Sequence, residues 1–149
     1  MKRNLLLPLL IATLFISSCS KNFEDRLIGS WRLDDAYRRV FLGRDHFETG
    51  YESGVFTLFE NGDASYVSST DTLNGYWRSD RYNNNYYNGG TGQWENRSLK
   101  YLRLYLRNFT QNKFIDWEFD DFNFRNNWRE IRAEQYSLGG DRVYEFVRQ

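Results

Sequence analysis

Residues 101–107 (YLRLYLR) and 114–120 (FIDWEFD) constrain the fold of this chain more than any other feature. In the first, Leu102, Leu104 and Leu106 alternate with Arg103 and Tyr105. In the second, Ile115, Trp117 and Phe119 alternate with Asp116, Glu118 and Asp120. Period-two alternation marks a strand with one buried face. One antiparallel register satisfies both segments, with Leu102 opposite Phe119, Leu104 opposite Trp117 and Leu106 opposite Ile115. The same register sets Arg103 against Glu118 and Tyr105 against Asp116 on the other face. A slip of one residue would put arginine against tryptophan, so the pattern selects the pairing.

Short strands of this kind recur. Residues 55–59 and 65–67 flank Asn61-Gly62, a hairpin signal because both residues tolerate positive φ. Residues 28–33, 73–82, 122–134 and 143–148 complete a count of about eight strands. Residues 82–94 (YNNNYYNGGTGQW) lack an apolar period and read as a long loop. On strand one, Trp31, Leu33 and Tyr37 are expected on one face. On the last strand, Tyr144, Phe146 and Arg148 are expected likewise. An all-β domain with short turns favours an up-and-down antiparallel barrel of about eight strands, and a two-sheet sandwich is the alternative.

The ends of the chain speak to location. Lys2 and Arg3 precede an uncharged run at residues 5–16, too short to span a bilayer as a helix. Small residues follow, and the whole reads as a signal peptide over residues 1–18. Ile16-Ser17-Ser18-Cys19 resembles the lipobox of bacterial lipoproteins. That resemblance implies cleavage before Cys19, a diacylglyceryl thioether there, and usually acylation (palmitate) of the new amine. Cys19 is the only cysteine, so it has no internal disulfide partner. Residues 19–26 then form a lipidated tether and residues 27–149 the domain. In the tether, Ser20 and Phe23-Glu24-Asp25 partly match an acidic surface-export tag, whereas Lys21 and Asn22 depart from it. A plain solvated tether fits these residues as well. The expected location is the outer membrane, lipid-anchored, on the periplasmic face or at the cell surface.

Loss of Lys2 and Arg3 takes the 20 basic side chains to 18 against 20 acidic ones, about −2. Nothing in that balance attracts nucleic acid or anionic lipid, so a lipid anchor rather than net charge is expected to hold the chain at a membrane. His46 is the sole histidine, and no serine is nominated to act with it. Imidazole and thiolate are too few for a transition-metal site. The row Asp116, Glu118, Asp120 reads as a solvent-facing ladder rather than a calcium or acid/base site. Phosphate-binding glycine loops are absent from the sequence. No catalytic residue, metal or cofactor is therefore expected.

The opening "LIGSWRL", the middle "FTLFENGD", the later "LNGYW" and the terminal "YEFVR" resemble short bacterial lipocalin-like domains of secreted lipoproteins. The likeness spans most of residues 27–149. It implies that Trp31, two residues after Gly29, plugs the closed end of a barrel under Arg148 of the last strand. The chain departs from classical lipocalins in having no disulfide pair and no clear Thr-Asp-Tyr motif. Two functions follow as expectations. The first is non-catalytic binding of a small apolar or amphipathic ligand among Leu102, Leu104, Trp117 and Phe119. The alternative is a surface interaction protein that binds a glycan or a partner protein through residues 82–94. In either case a monomer is expected.

Overall fold

The structure, a computed structural model, describes residues 22–149. The expected signal peptide and the expected lipidation site Cys19 lie outside those residues. Ten strands form one antiparallel sheet: β1 (Gly29–Val40), β2 (Gly43–His46), β3 (Val55–Leu58), β4 (Asp63–Val67), β5 (Thr72–Asn88), β6 (Gln93–Asn108), β7 (Lys113–Phe119), β8 (Asp121–Arg125), β9 (Glu130–Gln135) and β10 (Arg142–Arg148). The hydrogen-bonded order is β7-β6-β5-β4-β3-β1-β10-β9-β8, with β2 paired to the far end of β1.

The β6–β7 register is the one that the leucine pattern selects, from Leu102↔Phe119 to Leu106↔Ile115. Outside, Arg103 holds the Asp116 carboxylate through two bonds of 3.0 Å and reaches Glu118 at 3.0 Å. The β3–β4 turn also forms where Asn61-Gly62 places it, with Gly62 at φ 87°. The first and last strands pair, with Trp31 opposite Arg148 and Leu33 opposite Phe146.

Four expectations are corrected. The strands number ten, not eight. Gly43–His46 is exposed at every residue, so it has no buried face to advertise. Residues 122–134 hold two strands, because Asn126, Asn127 and Trp128 all take positive φ and turn the chain. Residues 82–94 are not a long loop: β5 and β6 stay paired out to Asn88↔Gln93, leaving only residues 89–92 as the turn. Tyr37 does not share a face with Trp31 and Leu33. A bulge between Leu33 and Asp35 resets the alternation, so Ala36 enters the core opposite Tyr144. Tyr37 is buried on the outer side instead, where its hydroxyl donates to Glu145 at 3.1 Å.

The fourth correction concerns closure. The sheet path ends at β7 and β8, which are neighbours in the chain with only Asp120 between them. No ladder joins these ends into a closed barrel. The seam is bridged largely by side chains. The Asp121 carboxylate, 4% exposed, accepts the Lys100 N–H at 3.0 Å and Arg97 at 3.1 Å. The Gln135 amide donates to the Glu118 carbonyl, and the Asp120 N–H to the Glu134 carbonyl. Two adjacent aspartates at the corner thus occupy positions where a barrel would continue its backbone ladder.

The sheet nevertheless curls around one core, fed by every strand except β2. Phe56 on β3 meets Trp117 on β7 at 5.6 Å between ring centroids, and Phe119 on β7 meets Phe146 on β10 at 6.2 Å. Residues 22–26, expected in a tether, pack against it. Phe23 lies 6.1 Å from Phe122, and a short 3-10 turn (Glu24–Arg26) sets the Arg26 guanidinium 3.6 Å over Trp128.

Candidate interaction surface

The interior is the first place to look for a ligand. Leu102, Leu104 and Phe119 are buried there, and Trp117 is half-buried among Tyr51, Phe56, Tyr144 and Phe146. The space that these side chains leave is small. The cavity bounded by Trp31, Phe56, Leu58, Leu102, Leu104, Ile131 and Phe146 measures about 10 Å³. A cavity needs roughly 10–15 Å³ of such volume to hold one water molecule. The four expected ligand-binding residues share a face of the core; Leu102 and Leu104 border this small space, whereas Trp117 and Phe119 are packed among aromatic rings.

Both ends of that core are covered. At the chain-entry end, Arg148 lies 4.4 Å over the Trp31 ring and donates to the carbonyls of Ile28 (3.3 Å) and Arg26 (2.5 Å). The Trp31 indole N–H donates to the Leu27 carbonyl at 2.7 Å. Gly29 makes room for this arrangement: it sits at φ 132°, and a Cβ there would stand 3.0 Å from Arg148 Nη1. At the other end, residues 47–54 fold inward. Phe47 meets the edge of Tyr144 at 5.8 Å, and Tyr51 meets Tyr66 and Trp117 edge-on at 5.2 and 5.7 Å. Glu52 braces this segment by accepting from the Thr49 N–H and hydroxyl, so its carboxyl is held below the ordinary value in spite of partial burial. Nothing in the sequence pattern marked Tyr51 as a plug, because it stands outside any alternating run.

The outer sheet offers less chemistry. His46 Nδ1 lies 2.8 Å from Asp35 Oδ1, and its ring packs 5.6 Å from Tyr37. Among the described residues no cluster of three His, Cys, Asp or Glu side chains could hold a metal ion.

The paired ends of β5 and β6 are different in kind. From Tyr82↔Leu99 to Asn88↔Gln93 they form a two-stranded ribbon of seven pairs, about 20 Å long. Its root is fixed: the Tyr82 hydroxyl donates to the Asp120 carbonyl at 3.0 Å, and Arg81 lies 5.0 Å over Phe23. Beyond the root no residue is buried on either face. An isolated ribbon of this kind is marginal in water, so its side chains must hold it together.

One face does so. Tyr86 donates to Glu95 at 2.6 Å, Asn88 donates to the other Glu95 oxygen at 2.6 Å, and Thr91 joins it at 3.2 Å. The hydrogen bond to Glu95 raises the Tyr86 pKa above its ordinary value, and the same bond lowers that of Glu95.

The opposite face carries Asn83, Asn85 and Tyr87 across from Ser98, Asn96 and Trp94. Tyr87 and Trp94 meet at 5.7 Å near the tip and stay 57% and 74% exposed. None of the four amide and hydroxyl side chains takes part in the hydrogen bonds that brace the ribbon. This face therefore presents two exposed aromatic rings above a row of side chains that can both donate and accept. Compared with family models, with characterised proteins and with solved structures, the chain finds no match.

Proposed function

We propose that this chain is a non-catalytic binding module, held at a membrane by an N-terminal lipid, that takes a glycan on the Asn83–Ser98 face of the ribbon. The carrying observation is the juxtaposition of Tyr87 and Trp94 with three asparagines and a serine, all outward and left to solvent. Sugars present apolar C–H faces and a rim of hydroxyls. Aromatic rings offer rigid amphipathic area to the former at little entropic cost. Amides, with donor and acceptor on one group, answer the latter.

The leader and the Ile16-Ser17-Ser18-Cys19 motif support anchoring at the outer membrane, on either its periplasmic face or the cell surface. The contact of Arg148 with Trp31 beside Gly29 is what the lipocalin-like resemblance would require, and it supports that kinship. The filled interior counts against carriage of an apolar ligand, which would need the core to open. The test is a panel of oligosaccharides against the purified protein. Trp94→Ala should weaken the best ligand by about tenfold or more, since exposed aromatic anchors dominate such contacts. Asn84→Ala, on the braced face, should leave binding unchanged. A panel without a ligand, or a ligand indifferent to Trp94, would refute the proposal.

A further inference from the structure

The most exposed apolar side chains of the described residues gather at the other end of β1. Phe41 and Leu42 form the β1–β2 turn and are 99% and 91% exposed, and Leu138 in the β9–β10 turn is 111% exposed on the same relative scale. The two turns are adjacent. The Arg39 N–H donates to the Asp141 carbonyl at 2.8 Å, and a Cβ on Gly140 would stand 2.6 Å from the Arg39 carbonyl.

Four arginines ring this tip. Arg38, opposite Arg142 and Asp45, lies on one side of the sheet; Arg39 and Arg44, which face each other, lie on the other. Arg39 is committed to Glu134 and Asp141. Among the described residues Arg38, Arg44 and Arg142 form no ion pair. Arg44 and Arg142 lie over the rings of Tyr37 and Phe47 instead, at 4.5 and 6.0 Å. Asp45, opposite Arg38, and Glu48, next to Phe47, are the exposed carboxylates nearby that make no ion pair among the described residues.

We infer that this tip docks into the surface of a bilayer carrying anionic headgroups. Phe41, Leu42 and Leu138 would enter the acyl boundary while Arg38, Arg44 and Arg142 meet lipid phosphates. Shape decides for lipid over a protein partner. A stable protein contact needs about 800 Å² of complementary surface on each side. Three side chains projecting from two narrow turns offer a convex point, which a fluid bilayer accepts without complementarity. Arginines just behind apolar residues match the order of layers in a membrane interface. β1 spans about 40 Å from the chain-entry end to this tip. A lipid at Cys19 and the tip would together lay that strand along the membrane. The inference does not depend on the glycan reading, and neither test bears on the other.

The experiment places a tryptophan at the tip of the full chain, Phe41→Trp, with Phe109→Trp as a second reporter on the β6–β7 turn. Emission is read as a difference from the parent on vesicles of brominated phosphatidylglycerol and of brominated phosphatidylcholine. The reporter at 41 should be quenched on the anionic vesicles and the reporter at 109 should not. Adding Leu42→Ser should lower the inserted population by about tenfold, the worth of burying one leucine side chain. Arg38, Arg44 and Arg142 changed together to Gln should abolish the preference for anionic lipid. An unquenched reporter at 41, equal quenching on the two vesicles, or equal quenching at 109 would overturn the inference. So would burial of the reporter at 41 without vesicles as protein concentration rises, which would mean that a second copy covers the tip.

Discussion

Asp121 should hold the seam where a closed barrel would have a ladder, and replacing it measures that role. The Asp121→Ala change removes the acceptor of the Lys100 N–H and the partner of Arg97. A stranded amide in a buried setting costs about 1–3 kcal/mol. Arg97 is 54% exposed, so loss of its ion pair adds less than about 1 kcal/mol. The expected destabilisation is about 2–3 kcal/mol. With unfolding entropy near 2.1 cal/mol/K per residue, the melting temperature of a domain this size should fall by about 8–10 °C. Asp121→Asn keeps an oxygen facing Lys100 and should lose less than half as much. Thermal denaturation supplies the numbers, and exchange of the Lys100 amide shows whether the loss is at the seam. An alanine variant that melts with the parent, or an asparagine variant as damaged as alanine, would refute the reasoning.

Three further outcomes follow from the same geometry. Leu104→Ala should cost about 2–5 kcal/mol in denaturant unfolding, because it opens a cavity in a filled core. Tyr105→Ala, one residue along but stacked on Tyr76 outside, should cost under about 1.5 kcal/mol. Gly29→Ala should cost about 1–3 kcal/mol through its strained φ and its approach to Arg148, whereas Gly89→Ala, with open space around it, should be near neutral by the same assay. The Tyr86–Glu95 bond should persist across neutral pH. The Glu95 pKa is depressed, so its contribution is present above the ordinary 4.5 and is lost only as pH falls through the lower folded value. Tyr86 is raised, so its contribution is present below 10 and is lost as pH climbs through the higher folded value. An NMR titration of the Tyr86 ring and the Glu95 carboxyl checks both directions.

The β6–β7 pair was legible because one face is dry and the other wet, so each residue type announces its side. The ribbon was not, for the same reason inverted. Tyr82 to Asn88 are wet on both faces, and nothing alternates. Tyr37 misled because period two assumes an unbroken strand, and the bulge at Asp34 adds a residue that no local signal marks. Closure was beyond pattern as well, since Asp120 reads as the end of the wet ladder Asp116, Glu118, Asp120 and nothing in the alternation marks Asp121 as a buried seam residue. Alternation also tells which side chains point inward without telling whether they fill the space. Leu102, Leu104, Trp117 and Phe119 point where expected, and it is Tyr51, Phe56 and Phe146 that leave them no room for a guest. The candidate face at Tyr87 and Trp94 lay within the segment singled out from sequence, yet its order depends on a pairing that the sequence hid.

The most direct test of the glycan-binding account is an NMR titration of the labelled protein with the tightest oligosaccharide from the panel. The account predicts shifts at the side-chain amides of Asn83, Asn85 and Asn96 and at the Trp94 indole, with the indoles of Trp31 and Trp117 unmoved. Shifts at Trp31 and Trp117 with a silent ribbon would contradict it and return the binding site to the interior of the sheet.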